Sequence, residues 1–136
     1  GDVKLRSTPI PPVDDFEGSL TDYCSKYVVE AIESGADYQA VIDSWHSGAY
    51  LLETVPAALW ILCNFGHDPE EAIVRAANDT WDNDTIGAIV GAAVGALHGK
   101  SALPDRWVDN LSGRTNRSDD GKIFELIEKS RTAFWH

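Results

Sequence analysis

The sequence predicts an all-α protein, a compact domain of several helices in an orthogonal arrangement. Three observations predict this class. Apolar residues recur three and four positions apart in successive segments, and glycine or proline interrupts the chain where a helix should end or begin. No segment alternates apolar and polar residues in the manner of a strand. With 136 residues, 43% of them hydrophobic, the chain can form one ordinary domain with its own core.

The N-terminal residues contain three prolines and show no periodicity, which predicts an extended arm or linker over 1–15 and a helical domain over 16–136. The first helix of that domain is expected over 16–34, since apolar residues there follow helical spacing. Asp37 is expected to cap a short second helix, which ends at the break formed by His46, Ser47 and Gly48.

The segment from Ala49 to Phe65 is apolar on almost every side, which predicts a buried central helix. Because proline favours the first turn of a helix, this one is expected to begin near Pro56, with Thr54 as its cap. Asp68 is followed by a proline and, three residues after the aspartate, by a glutamate. That pattern predicts the start of the next helix, which should run to about Ala77.

Glycine occupies every fourth position from Gly87 to Gly99, along a helix predicted over 85–97. Each interior glycine costs about 1 kcal/mol of helix propensity relative to alanine, so close packing against this face is expected to offset the loss. The opposite face is ordinary apolar core, and the helix is therefore expected to be buried on two sides. An exposed apolar surface is expected where part of that packing is missing. Two short helices should follow, over 104–111 and from the Asp119-Asp120 pair to Ser130.

Charge and cysteine content narrow the functional classes. A formal net charge of −11 with scattered basic residues argues against a nucleic-acid partner. No run of eighteen apolar residues occurs, so no membrane span is expected. Cys24 and Cys63 lack a CxxC spacing and lie in apolar helical patterns. They are expected to be buried free thiols, which favours a reducing, cytoplasmic location.

Three aspartates, Asp79, Asp82 and Asp84, lie within six residues just before the glycine-spaced helix. One interpretation is structural: Asp84 can cap the helix, and acidic groups are favoured near a helix N-terminus. The other is a metal site, because residues two apart in an extended segment point to the same side. Asp82 and Asp84 can then converge beside the hydroxyl of Thr85, an all-oxygen set that suits Mg²⁺, Mn²⁺ or Ca²⁺ rather than zinc. The residue types alone leave both interpretations open.

Three runs in succession, GAYLLETVPAALWIL, DPEEAIVRAANDTWDNDTIGAIVGAAVGALHGK and LPDRWVDNL, resemble the C-terminal part of the ADP-ribosylglycohydrolases. These enzymes remove ADP-ribose from modified proteins, and they include the dinitrogen-reductase-activating type. The resemblance covers about 48–111 and implies an all-α fold with a pair of metal ions, usually Mg²⁺, with Mn²⁺ as a second candidate. One local departure is that Thr80 and Trp81 stand where the family often has two glycines.

The resemblance also implies roles for individual residues. Asp82, Asp84 and Thr85 are expected to be metal ligands, with Asp84 also the catalytic carboxylate. Gly48 and Tyr50 match a family segment that lines the ADP-ribose pocket. Glycine there permits a close approach and tyrosine can stack on a ring, although a core position explains Tyr50 equally well.

The family's other metal ligands, a glutamate and a Thr-Asp-Asp motif, belong to an N-terminal half that has no counterpart in this sequence. The chain is therefore expected to supply the C-terminal half of a binuclear metal site in a hydrolase that acts on ADP-ribosylated proteins or on ADP-ribose compounds. The N-terminal half would come from another chain or segment, or from a second copy by exchange within a homo-oligomer. The alternative is a catalytically inactive helical module that binds an ADP-ribose-like ligand or a protein partner.

Overall fold

The computed structural model describes residues 3–6, 16–114 and 117–135. Within them the regular secondary structure is helical, apart from one very short strand pair. The predicted all-α class is confirmed. The chain divides into two compact units, Gly1–Leu103 and Pro104–His136. The predicted arm over 1–15 lies mostly outside the described residues, so its division from a helical domain over 16–136 stays a prediction.

The elements of the first unit follow in chain order, and those of the second come after them. The first unit contains β1 (Leu5–Arg6), β2 (Glu17–Gly18), α1 (Leu20–Glu33), α2 (Tyr38–Ser44), α3 (Leu51–Phe65), α4 (Pro69–Asp79), α5 (Asn83–His98) and a 3-10 turn (Lys100–Ala102). The second contains α6 (Asp105–Val108) and α7 (Lys122–Phe134).

The two strands form an antiparallel pair in which Leu5 lies opposite Gly18 and Arg6 opposite Glu17. The Arg6 guanidinium donates to Oε2 of Glu17 from Nε at 2.9 Å and from Nη2 at 2.6 Å. Strands of two residues are too short to show alternation, so no sequence pattern predicts them.

Side-chain caps begin three of the helices. Ser19 caps α1 in a reciprocal box with Asp22, so α1 begins at Leu20 and the predicted start at Phe16 is wrong. Asp37 caps α2, as predicted, by accepting from the Ala40 amide at 2.9 Å. Asp68 also caps α4 as predicted, accepting from the Glu71 amide at 3.1 Å, and α4 continues two residues past Ala77.

The helix α3 begins earlier than the sequence predicts, because Pro56 lies inside it and not at its start. Its N-cap is Tyr50, and Thr54 sits within the helix instead of capping it. Pro56 lacks only the one amide that would bond to the carbonyl of Leu52, and its ring is fully buried. Burial in the core therefore offsets a single lost helix bond.

The core of the first unit is formed by buried apolar side chains from α1 to α5 and from the end of α2. They are Val28, Ile42, Trp45, Ala57, Ala58, Trp60, Ile61, Ala72, Ala76, Ile86, Val90 and Val94. The rings of Trp45 and Trp60 meet edge to face at 6.0 Å between centroids, and Nε1 of Trp60 donates to the Tyr38 carbonyl at 3.2 Å. Burial of large apolar side chains, each stabilising by about 1.5–3 kcal/mol, holds the five helices together.

The glycine-spaced helix α5 is buried on one side only. Its inward face consists of Ile86, Val90 and Val94, each 0% exposed. A Cβ built at Gly87 or Gly95 has no heavy atom of the described chain within 4 Å, apart from the helix's own backbone. At Gly91 the nearest such atoms belong to the Ile73 side chain, at 3.9 Å. The expected burial on two sides is wrong for the described residues, because no other backbone approaches the glycines.

The second unit differs from expectation at its helix boundaries. α6 is shorter than the predicted 104–111, and α7 continues four residues past Ser130. Its N-cap is Gly121, with φ of 66°, a left-handed conformation that glycine adopts readily. Neither aspartate of the pair is the cap, although Asp119 accepts from the Gly121 amide at 3.1 Å and Asp120 from the Lys122 amide at 3.3 Å.

Two further expectations can be compared with the described residues. Both cysteines are free thiols, but Cys63 is exposed and Cys24 only partly buried, so their predicted burial is wrong. Cys63 lies on the part of α3 that faces away from the core. No helix in 3–6, 16–114 or 117–135 has the length and apolar character needed to cross a bilayer.

Candidate functional site

Two connections of the first unit meet through Ser47. One is the turn of residues 46–50 between α2 and α3, and the other is the loop of residues 80–82 between α4 and α5. The Trp81 amide donates to the Ser47 hydroxyl at 3.1 Å, and the Asp82 amide donates to the Ser47 carbonyl at 3.0 Å. Ser47 is 1% exposed, so both bonds are shielded from water at their acceptor. The loop that carries Asp82, the first of the predicted metal ligands, is thereby fixed to the turn that carries Gly48.

The turn holds two consecutive non-glycine residues in a left-handed backbone conformation. φ is 57° at His46 and 27° at Ser47. Such conformations cost about 1–3 kcal/mol each and persist only where the surroundings determine them. The imidazole of His46 stacks on the indole of Trp81, with centroids 5.3 Å apart and planes at 28°. Trp81 is nevertheless 77% exposed, so one side of this stack remains open to solvent.

The predicted substrate-binding residues lie next to Ser47 in this turn. The Thr54 hydroxyl donates to the Gly48 carbonyl at 2.6 Å. A Cβ built at Gly48 would lie 2.5 Å from Oε2 of Glu53, so the glycine makes room for that carboxylate. Tyr50 is half-buried, and its carbonyl accepts from the amides of Glu53 and Thr54 at 2.8 Å each. Contact of Gly48 and Tyr50 with ADP-ribose stays a prediction.

The predicted metal ligands occupy the N-terminus of α5. Asp82 is its N-cap residue and is half-buried, yet its side chain makes no capping hydrogen bond. Asp84 lies in the first turn, so its predicted place as the cap residue is wrong. Its Oδ1 accepts from the Thr85 amide at 2.9 Å, and both residues are exposed. A carboxylate in this turn is stabilised by the helix macrodipole whether or not a metal binds.

By chemical type this donor set suits a hard divalent cation, but the predicted extended segment is not found, because Asp84 and Thr85 already lie in α5. The expectation that Asp82 and Asp84 point to the same side as residues two apart in an extended chain is therefore wrong. Two carboxylates and a hydroxyl within four residues provide oxygen ligands only, the type that Mg²⁺ and Mn²⁺ prefer. Mg²⁺ takes six ligands, so the remainder would be water or oxygens from another segment. Across the part of the chain that the structure describes, no three histidine, cysteine, aspartate or glutamate side chains are placed to hold a metal together.

The third aspartate of the acidic stretch has a structural role. Asp79, the last residue of α4, accepts from the Tyr38 hydroxyl at 3.1 Å and pairs with Nη1 of Arg75 at 3.5 Å. Burial raises the pKa of the Tyr38 phenol, and the Asp79 carboxylate raises it further. Arg75 also lies over the Phe65 ring, 5.1 Å from its centroid. Asp79 therefore joins α2 to α4 and is separate from the Asp82–Thr85 ligand set.

Sequence reasoning missed the part that Ser47 plays. The sequence indicates only a break in the chain at His46, Ser47 and Gly48, whereas the Ser47 side chain is buried. Asp43 accepts from Nε2 of Gln39 at 2.9 Å, on the same helix. The partners Ser47 and Trp81 are 34 residues apart, and no local pattern predicts a contact over that distance.

Comparison with known proteins assigns the family. The sequence model of ADP-ribosylglycohydrolase matches residues 7–133. The chain belongs to the ADP-ribosylglycohydrolase family. No solved structure matches it.

Curated relatives show the same similarity over a shorter stretch. The chain is 36% identical over 81 residues to an ADP-ribosylarginine hydrolase Tri1 from Pseudomonas putida (strain GB-1), which is 60% of this chain and 22% of that protein. It is 35% identical over 80 residues to an ADP-ribosylarginine hydrolase Tri1 from Serratia proteamaculans (strain 568), covering 59% and 22%. It is 40% identical over 85 residues to the uncharacterized protein YegU of Escherichia coli (strain K12), covering 62% and 25%. The chain thus spans about a quarter of the length of the curated relatives that it matches.

Proposed function

We propose that this member of the ADP-ribosylglycohydrolase family supplies part of the active site of a metal-dependent hydrolase that removes ADP-ribose from modified proteins. One observation carries the proposal. The bond from the Asp82 amide to the Ser47 carbonyl fixes the candidate ligand run of residues 82–85 beside Gly48 and the turn that leads to Tyr50. The site therefore unites the two segments to which the family resemblance gives a metal role and a substrate role.

The residues of the site have separate roles in the proposed reaction. Asp82, Asp84 and Thr85 would hold Mg²⁺, or Mn²⁺ in its place, and two ions are expected in the complete site. A metal held there would supply positive charge that orients ribose hydroxyls and stabilises charge in the transition state. Asp84 would accept the proton of the water that attacks the anomeric carbon, and that proton would pass to the leaving group as its bond to the anomeric carbon breaks. Gly48 and Tyr50 contact the ADP-ribosyl group.

The comparisons support a proposal for the substrate and for the partner. Two of the relatives are named ADP-ribosylarginine hydrolases, so we propose an ADP-ribosyl group on arginine as the substrate. Because the three oxygen donors are too few for a metal, the remaining ligands would be water and oxygens from the N-terminal half of the enzyme, in another segment or chain or in a second copy. The free thiols Cys24 and Cys63 favour a reducing compartment, which suits the cytoplasm.

A chimaera tests the function. In it, this chain replaces the segment that it matches in the Pseudomonas putida relative, and release of ADP-ribose from ADP-ribosylarginine is measured with Mg²⁺ and with EDTA. We expect hydrolysis that requires the metal, and a loss of at least about 100-fold for Asp82→Asn, because a metal ligand is removed. Asp43→Asn, at an exposed acidic residue of α2, is the matched control and should retain activity.

Two results would contradict the proposed function in different ways. A folded chimaera that binds neither Mg²⁺ nor ADP-ribose in calorimetry would exclude the proposed site. Binding of ADP-ribose without hydrolysis, unaffected by Asp82→Asn, would support the alternative of an inactive ligand-binding module.

A further inference from the structure

Trp81 presents an open aromatic face at the candidate site. The residue is 77% exposed, although tryptophan side chains are mostly buried in folded proteins. One face of its indole is stacked on the imidazole of His46, with 5.3 Å between the ring centroids and 28° between the ring planes. Because so much of the side chain is accessible, the opposite face of the indole is available to a ligand.

The backbone on both sides of this stack is fixed. The Trp81 amide donates to the Ser47 hydroxyl at 3.1 Å, and the Asp82 amide donates to the Ser47 carbonyl at 3.0 Å. His46 and Ser47 have φ of 57° and 27°, conformations that non-glycine residues keep only where their surroundings determine them. The indole therefore lies against the turn that carries Gly48, and little conformational freedom remains to be lost when a ligand binds to it.

The position of Trp81 in the chain places it close to the predicted reaction centre. Asp82, the first predicted metal ligand, is the next residue, and consecutive Cα atoms lie about 3.8 Å apart. In the proposed reaction the ribose hydroxyls lie at the metal ligands, and the leaving group is bonded to the anomeric carbon of that ribose. The leaving group is therefore close to Trp81, whereas the adenine lies beyond the diphosphate.

The charge around the stack favours a cation over the diphosphate. Residues 27–99 contain one lysine or arginine, Arg75, whose guanidinium is paired with acidic residues of its own helix. The turn beside Trp81 adjoins a carboxylate that is not a predicted metal ligand, since Oε2 of Glu53 lies 2.5 Å from a Cβ built at Gly48. With a formal net charge of −11, the chain as a whole also attracts cations.

A guanidinium has the shape and the charge that this surface favours. It is planar and positively charged, and it stacks on aromatic faces, among which that of tryptophan binds cations best. We infer that the open face of Trp81 stacks on the guanidinium of the ADP-ribosylated arginine and thereby selects this linkage. His46 is a positioning residue, because it holds the indole from the other side. The inference rests on the proposed function for the identity of the substrate.

Kinetic constants of the chimaera with the Pseudomonas putida relative test the stacking contact. The KM for ADP-ribosylarginine is compared with the inhibition constant of the product ADP-ribose, which lacks the guanidinium. Trp81→Leu should raise this KM about 5-fold, because a cation–π contact is lost, and should change the inhibition constant by less than about 2-fold. The kcat should stay within about 2-fold of the wild type, because a contact made equally to the bound substrate and to the transition state affects KM alone.

Three further variants control for other effects of Trp81→Leu. Trp81→Phe keeps a flat ring and should restore the KM to within about 2-fold of the wild type. His46→Asn removes the ring that supports the indole, and asparagine tolerates a left-handed backbone, so the KM should rise by about 2- to 3-fold. Trp135→Leu is the matched control, because Trp135 is 71% exposed and belongs to the other compact unit, Pro104–His136. It should leave both constants unchanged.

Several results would overturn the inference. Equal rises in the KM and in the inhibition constant with Trp81→Leu would place the indole against the ADP-ribose moiety instead of the guanidinium. Unchanged constants would show that the indole contacts no part of the substrate, and an equal effect of Trp135→Leu would show that the change is not specific to the site. A fall in melting temperature of more than about 5 °C with Trp81→Leu in the chimaera, but not in this chain alone, would show that the rest of the enzyme covers the indole.

A further measurement separates this inference from the proposed function. If the chimaera does not fold or releases no ADP-ribose, this chain is titrated with Mg²⁺ and either ADP-ribosylarginine or ADP-ribose in nuclear magnetic resonance experiments. The indole N–H signal of Trp81 is identified by its absence in Trp81→Phe. A shift of this signal that only ADP-ribosylarginine produces supports the stacking contact without any activity, and no shift or equal shifts contradict it. Hydrolysis by the chimaera with constants that Trp81→Leu leaves unchanged would support the activity and exclude the stacking contact.

Discussion

Ser47 is the residue on which the geometry of the candidate site depends. Its hydroxyl and carbonyl accept from two consecutive amides, those of Trp81 and Asp82, and its side chain is buried. Ser47→Ala leaves the Trp81 amide without its acceptor, and an unsatisfied donor costs about 1–3 kcal/mol. We expect the free energy of unfolding in urea to fall by this amount. Hydrogen exchange at the Trp81 amide should also become faster than in the wild type.

Ser44→Ala is the matched control for Ser47→Ala. The Ser44 hydroxyl donates to the Val41 carbonyl at 2.8 Å within its own helix, and its loss leaves no amide unpaired. Its effect should be below about 0.5 kcal/mol, with unchanged exchange at Trp81. Equal effects of the two substitutions would mean that Ser47 contributes no more than a local helix bond.

Tyr23 makes the stability of the first unit depend on alkaline pH. The ring packs edge-on against Phe16 at 5.1 Å and beside Tyr27 at 4.5 Å. Burial, followed by the nearby Tyr27, Cys24 and Glu53, raises the pKa of the Tyr23 phenol to about 12. In the unfolded chain a tyrosine ionises near pH 10, so between about pH 10 and 12 the unfolded state loses a proton that the folded state keeps. This contribution to stability is complete below pH 10 and is lost as the pH rises towards 12.

Urea titrations at several pH values check the role of Tyr23. The wild type should lose unfolding free energy between about pH 10 and 12, and Tyr23→Phe should reduce that slope. A slope remains in the variant because the pKa of Tyr38 is raised as well. Phe16→Leu disturbs the same aromatic cluster without removing an ionisable group, so it should lower stability at every pH and keep the slope. Identical slopes for Tyr23→Phe and the wild type would contradict the assignment.

The open glycines of α5 make a prediction at the scale of the element. Among residues 3–6, 16–114 and 117–135, a Cβ at Gly87 or Gly95 meets no heavy atom within 4 Å apart from its chain neighbours and the helix's own backbone, so alanine fits there without a clash. Helix propensity then favours alanine by about 0.5–1 kcal/mol. Gly87→Ala and Gly95→Ala should therefore each raise the unfolding free energy of this chain in urea. A decrease would show that the glycines are packed closely, as the sequence alone had indicated.

Gly99→Ala is the control for these glycine substitutions. Gly99 is the C-cap of α5 and has φ of 80°, a conformation that alanine adopts only with strain. The space around its Cβ is equally open, so a loss of about 1 kcal/mol would reflect the backbone alone. A rise in unfolding free energy for Gly87→Ala and a fall for Gly99→Ala would thus separate the effect of helix propensity from that of backbone conformation.

Elements were predictable from the sequence where their cause is local. Asp37 and Asp68 cap their helices through amides three residues away, and short-range patterns reveal them. The predicted start of α3 near Pro56 was wrong because burial of the proline in the core, a long-range effect, outweighs the loss of one helix hydrogen bond. The glycine spacing of α5 indicated that two faces of the helix are covered. The sequence of one helix cannot predict which other segments cover it, and the described residues cover only one face. The same holds for the candidate site. Its run of metal ligands is a local motif that the sequence reveals. Its hydrogen bond to Ser47 joins residues 34 positions apart, and only the structure shows it.

At the scale of the whole molecule, the folded core belongs to the first unit. Every residue of the core cluster lies between Val28 and Val94. In the second unit α7 has no buried residue among those described, and its ion pairs, Glu125 with Lys129 and Glu128 with Arg131, are exposed. Exposed pairs of this kind contribute about 0.3–0.5 kcal/mol each. The stability of the chain is therefore expected to reside in Gly1–Leu103.

Truncation after Leu103 tests where the stability resides. The shortened chain should keep the helical circular dichroism of α1 to α5 and melt within about 3 °C of the full chain, because every residue of the core cluster belongs to it. A peptide of residues 104–136 should show little helix in water, since α7 has 13 residues and isolated helices of that length are marginal. Val90→Ala is the positive control. It removes buried methyl groups from the centre of the core, so it should lower the free energy of unfolding by about 2–3 kcal/mol in both the full and the shortened chain. A fall of more than about 10 °C on truncation, with Val90→Ala unchanged in its effect, would mean that the second unit stabilises the first.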